Sequence, residues 1–247
     1  IGREQLSRYE TVEVRDAEVE DVEGADGAFT LRLAAGESAM ARKLVLATGL
    51  SDTMLDVPGA EELFGRGVWT CPYCDGWELR DRPLAVLGGE DSVGLSVELS
   101  AWSQDVVLLT DGPALLDGDA LRRLAAASVT LDERPVERLE AGPDGMLHAV
   151  RFRSGETLRC DGLFHLARAR QRSHLVEKLG CEVSARGTAK TSDYEKSNVP
   201  GVWVAGDASR RVQWAIVAAA EGALAAFAVN SELTEEDVAA AISSPAQ

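Results

Sequence analysis

The chain has 247 residues, 45% of them hydrophobic and 27% charged, which is a globular composition and enough length for one large core or two ordinary ones. Its 41 acidic and 25 basic side chains leave a formal net charge of −16, which argues against nucleic acid and anionic lipid as partners because both are negatively charged. No apolar run approaches the ~20 residues of a membrane span, and four cysteines are too few for a disulfide scaffold, so we expect a cytoplasmic protein without a membrane segment.

The predicted elements begin with strands and then alternate between strands and helices. The N-terminal part predicts strands at residues 12–22, 28–34 and 43–49. The middle part predicts a strand at 82–89, a helix at 91–103, a strand at 105–112, a helix at 117–127, and strands near 128–140, 146–160 and 162–167. This alternation is typical of an α/β fold with parallel strands, and the segments 12–34 and 128–160 predict small antiparallel additions.

The C-terminal part predicts a buried strand within residues 199–207 and an alanine-rich helix at 212–230. A separate final helix is predicted after it, because Thr234 and Asp237 have the spacing of an N-cap residue and its N3 acid.

Two stretches predict domain boundaries: the Gly-Arg-Gly stretch at 65–67 and the polar stretch 186–198. They separate a middle unit, residues 68–190, from an outer unit that both chain ends build, residues 1–67 and 191–247. The sequence starts at Ile1 without a Met and without an apolar leader, from which we expect a truncated or processed chain.

The pair Cys71 and Cys74 is the strongest chemical signal in the sequence. Its CxxC spacing lets two thiols close a small disulfide ring, and Pro72 restricts the backbone between them. Asp75 directly follows the pair and can exchange a proton with a departing thiolate. The pattern therefore predicts a reversible redox disulfide.

Two other interpretations of this pair stay open. A zinc half-site would need two further ligands, whereas Cys160 and Cys181 form no second CxxC and no histidine makes a paired motif with them. The cysteines can also be incidental. Cys160 and Cys181 are predicted to be small buried side chains, and no metal is predicted.

Four motifs in order carry a family resemblance: ATG at 47–49, CPYCDGWE at 71–78, LAVLGGEDS at 84–92 and VPGVWVAGDAS at 199–209. Together they resemble the low-molecular-weight thioredoxin reductases and their relatives, which are FAD-dependent pyridine nucleotide-disulfide oxidoreductases. The resemblance implies two Rossmann-like, three-layer dinucleotide-binding domains. One is a discontinuous FAD domain, residues 1–67 plus 191–247, and the other an inserted NAD(P)-binding-like domain, residues 68–190, that carries the CxxC. It also implies a homodimer, with a small dithiol or disulfide or a thioredoxin-like protein as partner.

The same resemblance implies roles for particular residues. Cys74 would face the flavin, Cys71 would exchange with the external dithiol or disulfide, and Asp75 would be the acid and base. The residues expected around FAD are Thr48, Gly49, Gly206, Asp207, Gln213, Trp214 and Ala215. The last three lie at the start of the long predicted helix, whose N-terminus can stabilise negative charge on a reduced flavin.

One part of the family pattern is missing. FAD domains of this kind open with a strand, a GxGxxG turn and a helix that receives the pyrophosphate. Residues 1–67 contain no such glycine cluster, so the unit is either lost or lies on a segment outside this chain. We therefore expect an FAD domain that is incomplete at its N-terminus and binds FAD weakly.

The glycine turn of the middle unit departs from a dinucleotide fingerprint. Gly88, Gly89 and Ser92 keep the turn, but Glu90 takes the place of the second glycine and Val93 that of a small residue. A carboxylate about 4 Å from the pyrophosphate, at an effective dielectric of ~20, opposes binding by about 4 kcal/mol. The alternative is that Glu90 points to solvent and the two glycines still serve a nucleotide.

The next strand ends at Thr110-Asp111-Gly112, where NADPH-using members of the family carry arginines. Asp111 is either a ligand for the ribose 2′-hydroxyl of NADH or a solvated turn acid. NADPH use is therefore not expected, and NADH use stays open.

The sequence favours a FAD-dependent thiol–disulfide oxidoreductase of the thioredoxin reductase type, in which electrons pass between flavin and the Cys71–Cys74 pair. A variant of this class is a flavin dithiol oxidase, which oxidises a small dithiol with oxygen and needs no nicotinamide. A different class is a non-enzymatic remnant of the fold, or a fragment.

Overall fold

The computed structural model describes residues 1–34, 36–210 and 212–243. Internal contacts divide the chain into two compact units. Unit 1 comprises Ile1–Ser51 and Ala169–Gln247, and unit 2 comprises Asp52–Arg168. Unit 2 is thus inserted into the chain of unit 1.

Strands and helices follow one another as short elements until the last helix. Up to residue 52 they are α1 (Gly2–Leu6), β1 (Val19–Ala25), β2 (Ala28–Leu33), β3 (Ser38–Ala41), β4 (Leu44–Leu46) and β5 (Leu50–Asp52). Unit 2 continues with α2 (Ala60–Leu63), β6 (Val68–Trp69), α3 (Pro72–Asp75), β7 (Leu84–Leu87), α4 (Val93–Leu99), β8 (Val106–Leu109), α5 (Gly118–Ala126), β9 (Thr130–Asp132), β10 (Val136–Ala141), β11 (Leu147–Phe152), β12 (Thr157–Arg159) and β13 (Gly162–Phe164). The chain then returns to unit 1 with β14 (Ala169–Gln171), α6 (Leu175–Lys178), β15 (Val202–Val204) and α7 (Ala215–Ser243).

Unit 2 is built around a five-stranded parallel sheet in the order β6-β13-β7-β8-β9. Its central strand β7 is buried at every position, as expected for a parallel strand covered on both faces. On one face Leu99 of α4 and Leu124 of α5 belong to the same core as Val86 of β7. On the other face lies the antiparallel sheet β10-β11-β12, whose Phe152 shares a core with Leu87. These three layers confirm the predicted α/β class and the antiparallel addition after residue 128.

Unit 1 contains the antiparallel sheet β1-β2-β3 and a parallel pair of strands, β4 and β15. Phe29 of β2 packs in one core with Val202 and Val204 of β15. Trp203, between those two valines, instead packs with Ala225 of α7. Alternate side chains of β15 therefore serve two layers, because successive residues of a strand face opposite sides of the sheet. The predicted N-terminal antiparallel addition is confirmed.

The unit boundaries lie at 51/52 and 168/169, whereas the sequence placed them at 67/68 and 190/191. The segment after residue 51 belongs to unit 2 because Leu63 of α2 packs in one core with Leu139 of β10. The segment after residue 168 belongs to unit 1 because Val176 of α6 packs with Val202. Glycines and polar stretches mark turns, but apolar packing decides which unit a segment joins. The assignment of FAD and NAD(P) to the two units stays a prediction.

The helix α7 is continuous from Ala215 to Ser243, so the predicted break before a new N-cap at Thr234 is wrong. The Thr234 hydroxyl donates a hydrogen bond to the carbonyl of Asn230, at 2.8 Å. A threonine can bond to the preceding turn of its own helix as well as cap a new helix, so the local pattern did not distinguish the two.

By length and composition only, helix α7 could cross a membrane. Its most apolar 18-residue window has a mean hydropathy of 1.3, and 11% of that window is buried. The expectation that no segment has these properties is therefore wrong. A single such helix is weak support for a membrane protein. The helix also carries buried Glu221 and the ion-paired Glu232 and Glu236.

Candidate functional site

Cys71 and Cys74 lie where strand β6 passes into the short helix α3. Pro72 occupies the first turn of this helix, where its missing N–H leaves no hydrogen bond unmade. The carbonyl of Cys71 accepts the amide of Cys74 at 3.2 Å and that of Asp75 at 3.3 Å. This turn brings the two Cα atoms to 5.4 Å, and the sulfurs are joined in a disulfide. Bonded to each other, they are not available as zinc ligands in this state.

Asp75 is half-buried next to the disulfide. Burial raises the pKa of its carboxyl, and the negative charge of Glu78 raises it further. A carboxyl with a raised pKa keeps its proton closer to neutral pH, which is what a group that both gives and takes a proton requires. The chemistry of Asp75 is therefore suited to the predicted role, which stays a prediction.

The other two cysteines are free and buried, as predicted. Burial raises the pKa of Cys160 to about 12, and it also raises that of Cys181. Because the thiolate is the reactive form, neither side chain competes with the CxxC for thiol exchange.

Aromatic residues lie close to the cysteines in sequence, a feature that the sequence analysis did not single out. Tyr73, between the cysteines, and Trp77 are both exposed. Tyr73 meets Trp102 edge to face with ring centroids 5.3 Å apart, and the guanidinium of Arg80 lies 4.3 Å from the centre of the Trp77 ring. The motif contains Tyr73 and Trp77, but only the structure shows that both side chains are exposed.

The glycine turn of unit 2 follows β7. Glu90–Ser92 form a 3₁₀ turn, and α4 begins directly after it. Gly88 is needed because a Cβ at that position would lie 2.1 Å from the Ser92 Oγ. Ser92 is buried, and its carbonyl accepts the hydroxyl of Ser96 at 3.0 Å. Gly88 and Ser92 are thus explained by the turn itself.

Glu90 is exposed at this turn, next to the exposed Asp91. The first half of the alternative interpretation, that Glu90 points to solvent, agrees with this placement. Exposure to solvent lowers the expected repulsion between each carboxylate and a pyrophosphate ~4 Å away from about 4 kcal/mol toward about 1 kcal/mol. Both carboxylates still oppose binding of a pyrophosphate. Gly89 has open space around it, since a Cβ would meet only the Asp91 Oδ1 at 4.0 Å.

Asp111 has a structural partner that the sequence did not predict. Its Oδ1 accepts the backbone amide of Val136 at 2.6 Å, and its φ of 52° lies in the left-handed region. The side chain therefore ties the end of β8 to the start of β10. Neither predicted alternative, a ribose ligand or a solvated turn acid, anticipated this bond.

In unit 1, Thr48 and Gly49 follow β4, and Gly206 and Asp207 follow β15. Because β4 and β15 are parallel neighbours, their carboxyl ends meet at one edge, the usual place for a ligand in an α/β sheet. Gly206 has a φ of 75°, a conformation that favours glycine. The structure thus brings these four predicted residues to the same edge.

The donor set at this edge fits the ribityl and phosphate part of FAD. The Thr48 Oγ1 is buried and has no hydrogen-bond partner within the protein, and Asp207 is half-buried. An orphaned buried hydroxyl costs about 1–3 kcal/mol, which a ligand oxygen would recover. When FAD is bound, Thr48 and Asp207 would hold its polar chain.

Gln213, Trp214 and Ala215 lie at the start of α7. Ala215 is the first helical residue, and the carbonyl of Trp214 accepts the amide of Ala218 at 2.9 Å. Gln213 and Trp214 are exposed. The predicted place at a helix N-terminus is confirmed for these three residues, whereas their contact with a flavin stays a prediction.

A family model described as pyridine nucleotide-disulphide oxidoreductase matches residues 3–222. The chain belongs to this family.

Three relatives illustrate the similarity. Thioredoxin reductase tcpT of Claviceps purpurea (strain 20.1) is 35% identical over 187 residues, which are 72% of this chain and 58% of the relative. The crystal structure of HlmI matches with a TM-score of 0.88 and 37% identity, covering 98% of this chain and 76% of that one. A putative thioredoxin reductase, TrxB, from Bacillus anthracis matches with a TM-score of 0.86 and 28% identity, covering 96% and 80%. The oxidoreductase chain thus spans less than two thirds of tcpT.

Proposed function

We propose that the chain is a FAD-dependent thiol–disulfide oxidoreductase of the thioredoxin reductase type. The observation that carries this proposal is the Cys71–Cys74 disulfide, held in a tight turn and followed by a half-buried Asp75. FAD, when bound, supplies a two-electron acceptor or donor for this pair. Similarity to thioredoxin reductases over most of the chain supports the same class.

The residues of the chain account for exchange with a dithiol. A substrate thiolate attacks Cys71 Sγ, and Cys74 leaves as a thiolate that takes a proton from Asp75. Asp75 then receives the proton of the second substrate thiol, which attacks the substrate sulfur of the mixed disulfide and expels Cys71 as a thiolate. The substrate ends as a disulfide, and its two electrons reside on the Cys71 thiolate and the Cys74 thiol.

A second candidate is a dithiol oxidase that passes these electrons to oxygen and needs no nicotinamide. The exposed acids Glu90 and Asp91 at the glycine turn favour it, and so does the engagement of Asp111 with Val136. These groups oppose the phosphates of NADPH and offer no cation in their place.

The partner and assembly are part of the same proposal. We expect a small dithiol or disulfide, or a thioredoxin-like protein, as partner. The exposed rings of Tyr73 and Trp77 offer apolar contact beside the disulfide. We also expect a cytoplasmic homodimer, on the basis of the two unpaired cysteines and the family resemblance.

Two measurements on the purified chain test the proposed class. Alkylation followed by mass spectrometry, with and without reductant, should show a two-thiol difference confined to the peptide of Cys71 and Cys74, and Cys74→Ser should remove it. Incubation with FAD should give a stoichiometric flavin complex. Zinc bound to these sulfurs would contradict the redox role. A chain with the disulfide but without FAD binding would be the non-enzymatic remnant.

A further inference from the structure

Three charged side chains outside the reactions described above form a buried network in unit 1. Glu195 and Glu221 are only 2% and 4% exposed, and Arg210 bridges them. Its Nη2 donates to Glu195 Oε1 and its Nε donates to Glu221 Oε1. Buried carboxylates are costly unless they are paired, so a single guanidinium that serves two of them is the centre of this network.

The remaining carboxylate oxygens are also bonded. Thr191 Oγ1 donates to Glu195 Oε2 at 3.1 Å. Glu221 Oε2 accepts the backbone amide of Gly206 at 2.7 Å and the hydroxyl of Ser209 at 3.3 Å. Two carboxylates and one guanidinium leave one negative charge uncompensated, and these neutral donors disperse it. Partial burial acts against the charge of Arg210, but its bonds to Glu221 and Glu195 raise its pKa.

The network is held in place at the cost of backbone strain. Tyr194 and Glu195 have φ values of 56° and 65°. In the described residues they are the one place where two consecutive non-glycine residues both have positive φ. Side chains rarely adopt this conformation, and it persists where surrounding contacts enforce it, often at functional sites. Here the strain places the Glu195 carboxylate against Arg210.

The network ends on the turn that carries the candidate FAD residues. The amide that Glu221 holds belongs to Gly206, and Asp207 is the next residue. Arg210 and Ser209 lie on the same short segment. We propose that Glu195, Arg210 and Glu221 form a positioning network that pre-organises the Gly206–Asp207 turn for FAD.

The inference rests on the proposed FAD site, but the turn can be followed without FAD. Arg210→Met removes the bridge, and Glu221→Gln keeps an acceptor for the Gly206 amide while it removes the charge. Lys43→Met is the matched control, because Lys43 also bridges several carboxylates, those of Asp26, Glu232 and Glu236, and fixes the same helix α7 far along its length from Gly206. Should Arg210→Met fail to fold, Arg210→Lys keeps the charge but not the two-pronged bridge.

The first readout is amide hydrogen exchange of the peptide that contains Gly206, measured without FAD. Arg210→Met should accelerate exchange there, Glu221→Gln should do so less, and Lys43→Met should leave it unchanged. The second readout is the Kd for FAD, from quenching of flavin fluorescence. If loss of the bridge leaves the competent turn populated about a tenth of the time, the Kd rises about tenfold.

Unchanged exchange at Gly206 in Arg210→Met would overturn the inference. An equal loss of FAD affinity in Lys43→Met would do so as well, because the network would then act only through general stability. A wild-type chain that binds no FAD would contradict the proposed function instead, and the exchange experiment would still decide the role of the network.

Discussion

The two glycine turns at the carboxyl ends of parallel strands differ in the chemistry around them. In unit 1 the amide of Gly206 is bonded to the buried Glu221, and the same sheet edge carries the buried, unpartnered hydroxyl of Thr48. In unit 2 the turn after Gly88 is filled by the side chain of Ser92, and the exposed acids Glu90 and Asp91 face solvent. Acidic side chains occur at both turns, but only the edge that holds the first turn also has a buried hydroxyl without a partner in the protein, that of Thr48.

This difference teaches that a fold can keep a nucleotide-binding backbone while its side chains serve another purpose. Unit 2 keeps the CxxC and Asp75, and Asp111 holds its backbone together through Val136. The five experiments below test the chemistry of unit 2, the stability of unit 1 and the backbone requirements of the two turns.

The largest expected effect concerns the thiol chemistry of unit 2. Asp75→Asn should slow thiol–disulfide turnover by roughly 10²–10⁴, the usual contribution of acid–base catalysis, without unfolding the chain. Stopped-flow measurement of dithiol oxidation checks this. Glu78→Gln is the control, because Glu78 only adds to the raised pKa of Asp75 and should change the rate little. Unchanged turnover in Asp75→Asn would refute the role.

The nicotinamide prediction addresses the turn of unit 2 directly. NADPH should fail to reduce the flavin, because the exposed acids Glu90 and Asp91 each repel its phosphates by about 1 kcal/mol at ~4 Å, whereas a small dithiol reduces the flavin and oxygen reoxidises it. Anaerobic stopped-flow of the flavin band checks both. Glu90→Gly alone should recover little, since Asp91 and Asp111 remain. Rapid bleaching by micromolar NADPH would restore the ordinary reductase interpretation.

The charge pairs of Lys43 in unit 1 should contribute to its stability at neutral pH. Lys43→Met removes the partner that the carboxylates of Asp26 and Glu236 share. Because both carboxylates are more than a third exposed, the free energy of unfolding should fall by only about 1 kcal/mol. Urea unfolding followed by circular dichroism measures this cost. A change below about 0.5 kcal/mol would show that the cluster is only a solvated surface pair.

The same cluster predicts a pH window. Hydrogen bonds from Lys43 and then Arg42 hold the pKa of Glu236 below its usual value. The stability that Glu236 adds is therefore fully present above its unfolded pKa of about 4.3, and it is lost as pH falls through the lower folded value. Lys43→Met should make the free energy of unfolding depend less on pH below about pH 4.3. An unchanged pH dependence in that range would contradict the proposed pairing of Glu236 with Lys43.

The smallest effect compares a glycine from each turn. Gly206→Ala should destabilise the chain by about 1 kcal/mol, because its φ of 75° suits glycine. Gly89→Ala should change stability by less than about 0.5 kcal/mol, since its Cβ meets only the Asp91 Oδ1 at 4.0 Å. Thermal unfolding of both variants measures the difference. Equal losses would show that the two turns have the same backbone requirement.

Much of the fold could be predicted from local patterns. The buried strands around Leu84–Leu87 and Val202–Val204 are apolar runs bounded by glycines, and the structure has strands at both. The alanine-rich helix at 212–230 was predicted from composition, and the structure has a helix there. Thr234 was misread because its hydroxyl bonds within the helix, and a hydroxyl has the same local sequence signal in either role.

The candidate sites also differ in whether their residues lie close together in the sequence. The CxxC spacing and Asp75 are local in sequence, so the sequence by itself determined the redox prediction. The network of Glu195, Arg210 and Glu221 joins residues 15 and 11 positions apart, and it depends on the left-handed backbone at Tyr194. No spacing rule predicts such contacts.

The sequence by itself determined the buried strands at Leu84–Leu87 and Val202–Val204, the disulfide pair and the acidic character of the unit 2 turn, because each depends on residues within one turn or strand. Only the tertiary structure decided the unit boundaries, the partner of Asp111 and the buried charges behind Gly206. These depend on which segments pack together, and packing follows the apolar surface that distant residues bury rather than the local pattern of any one segment.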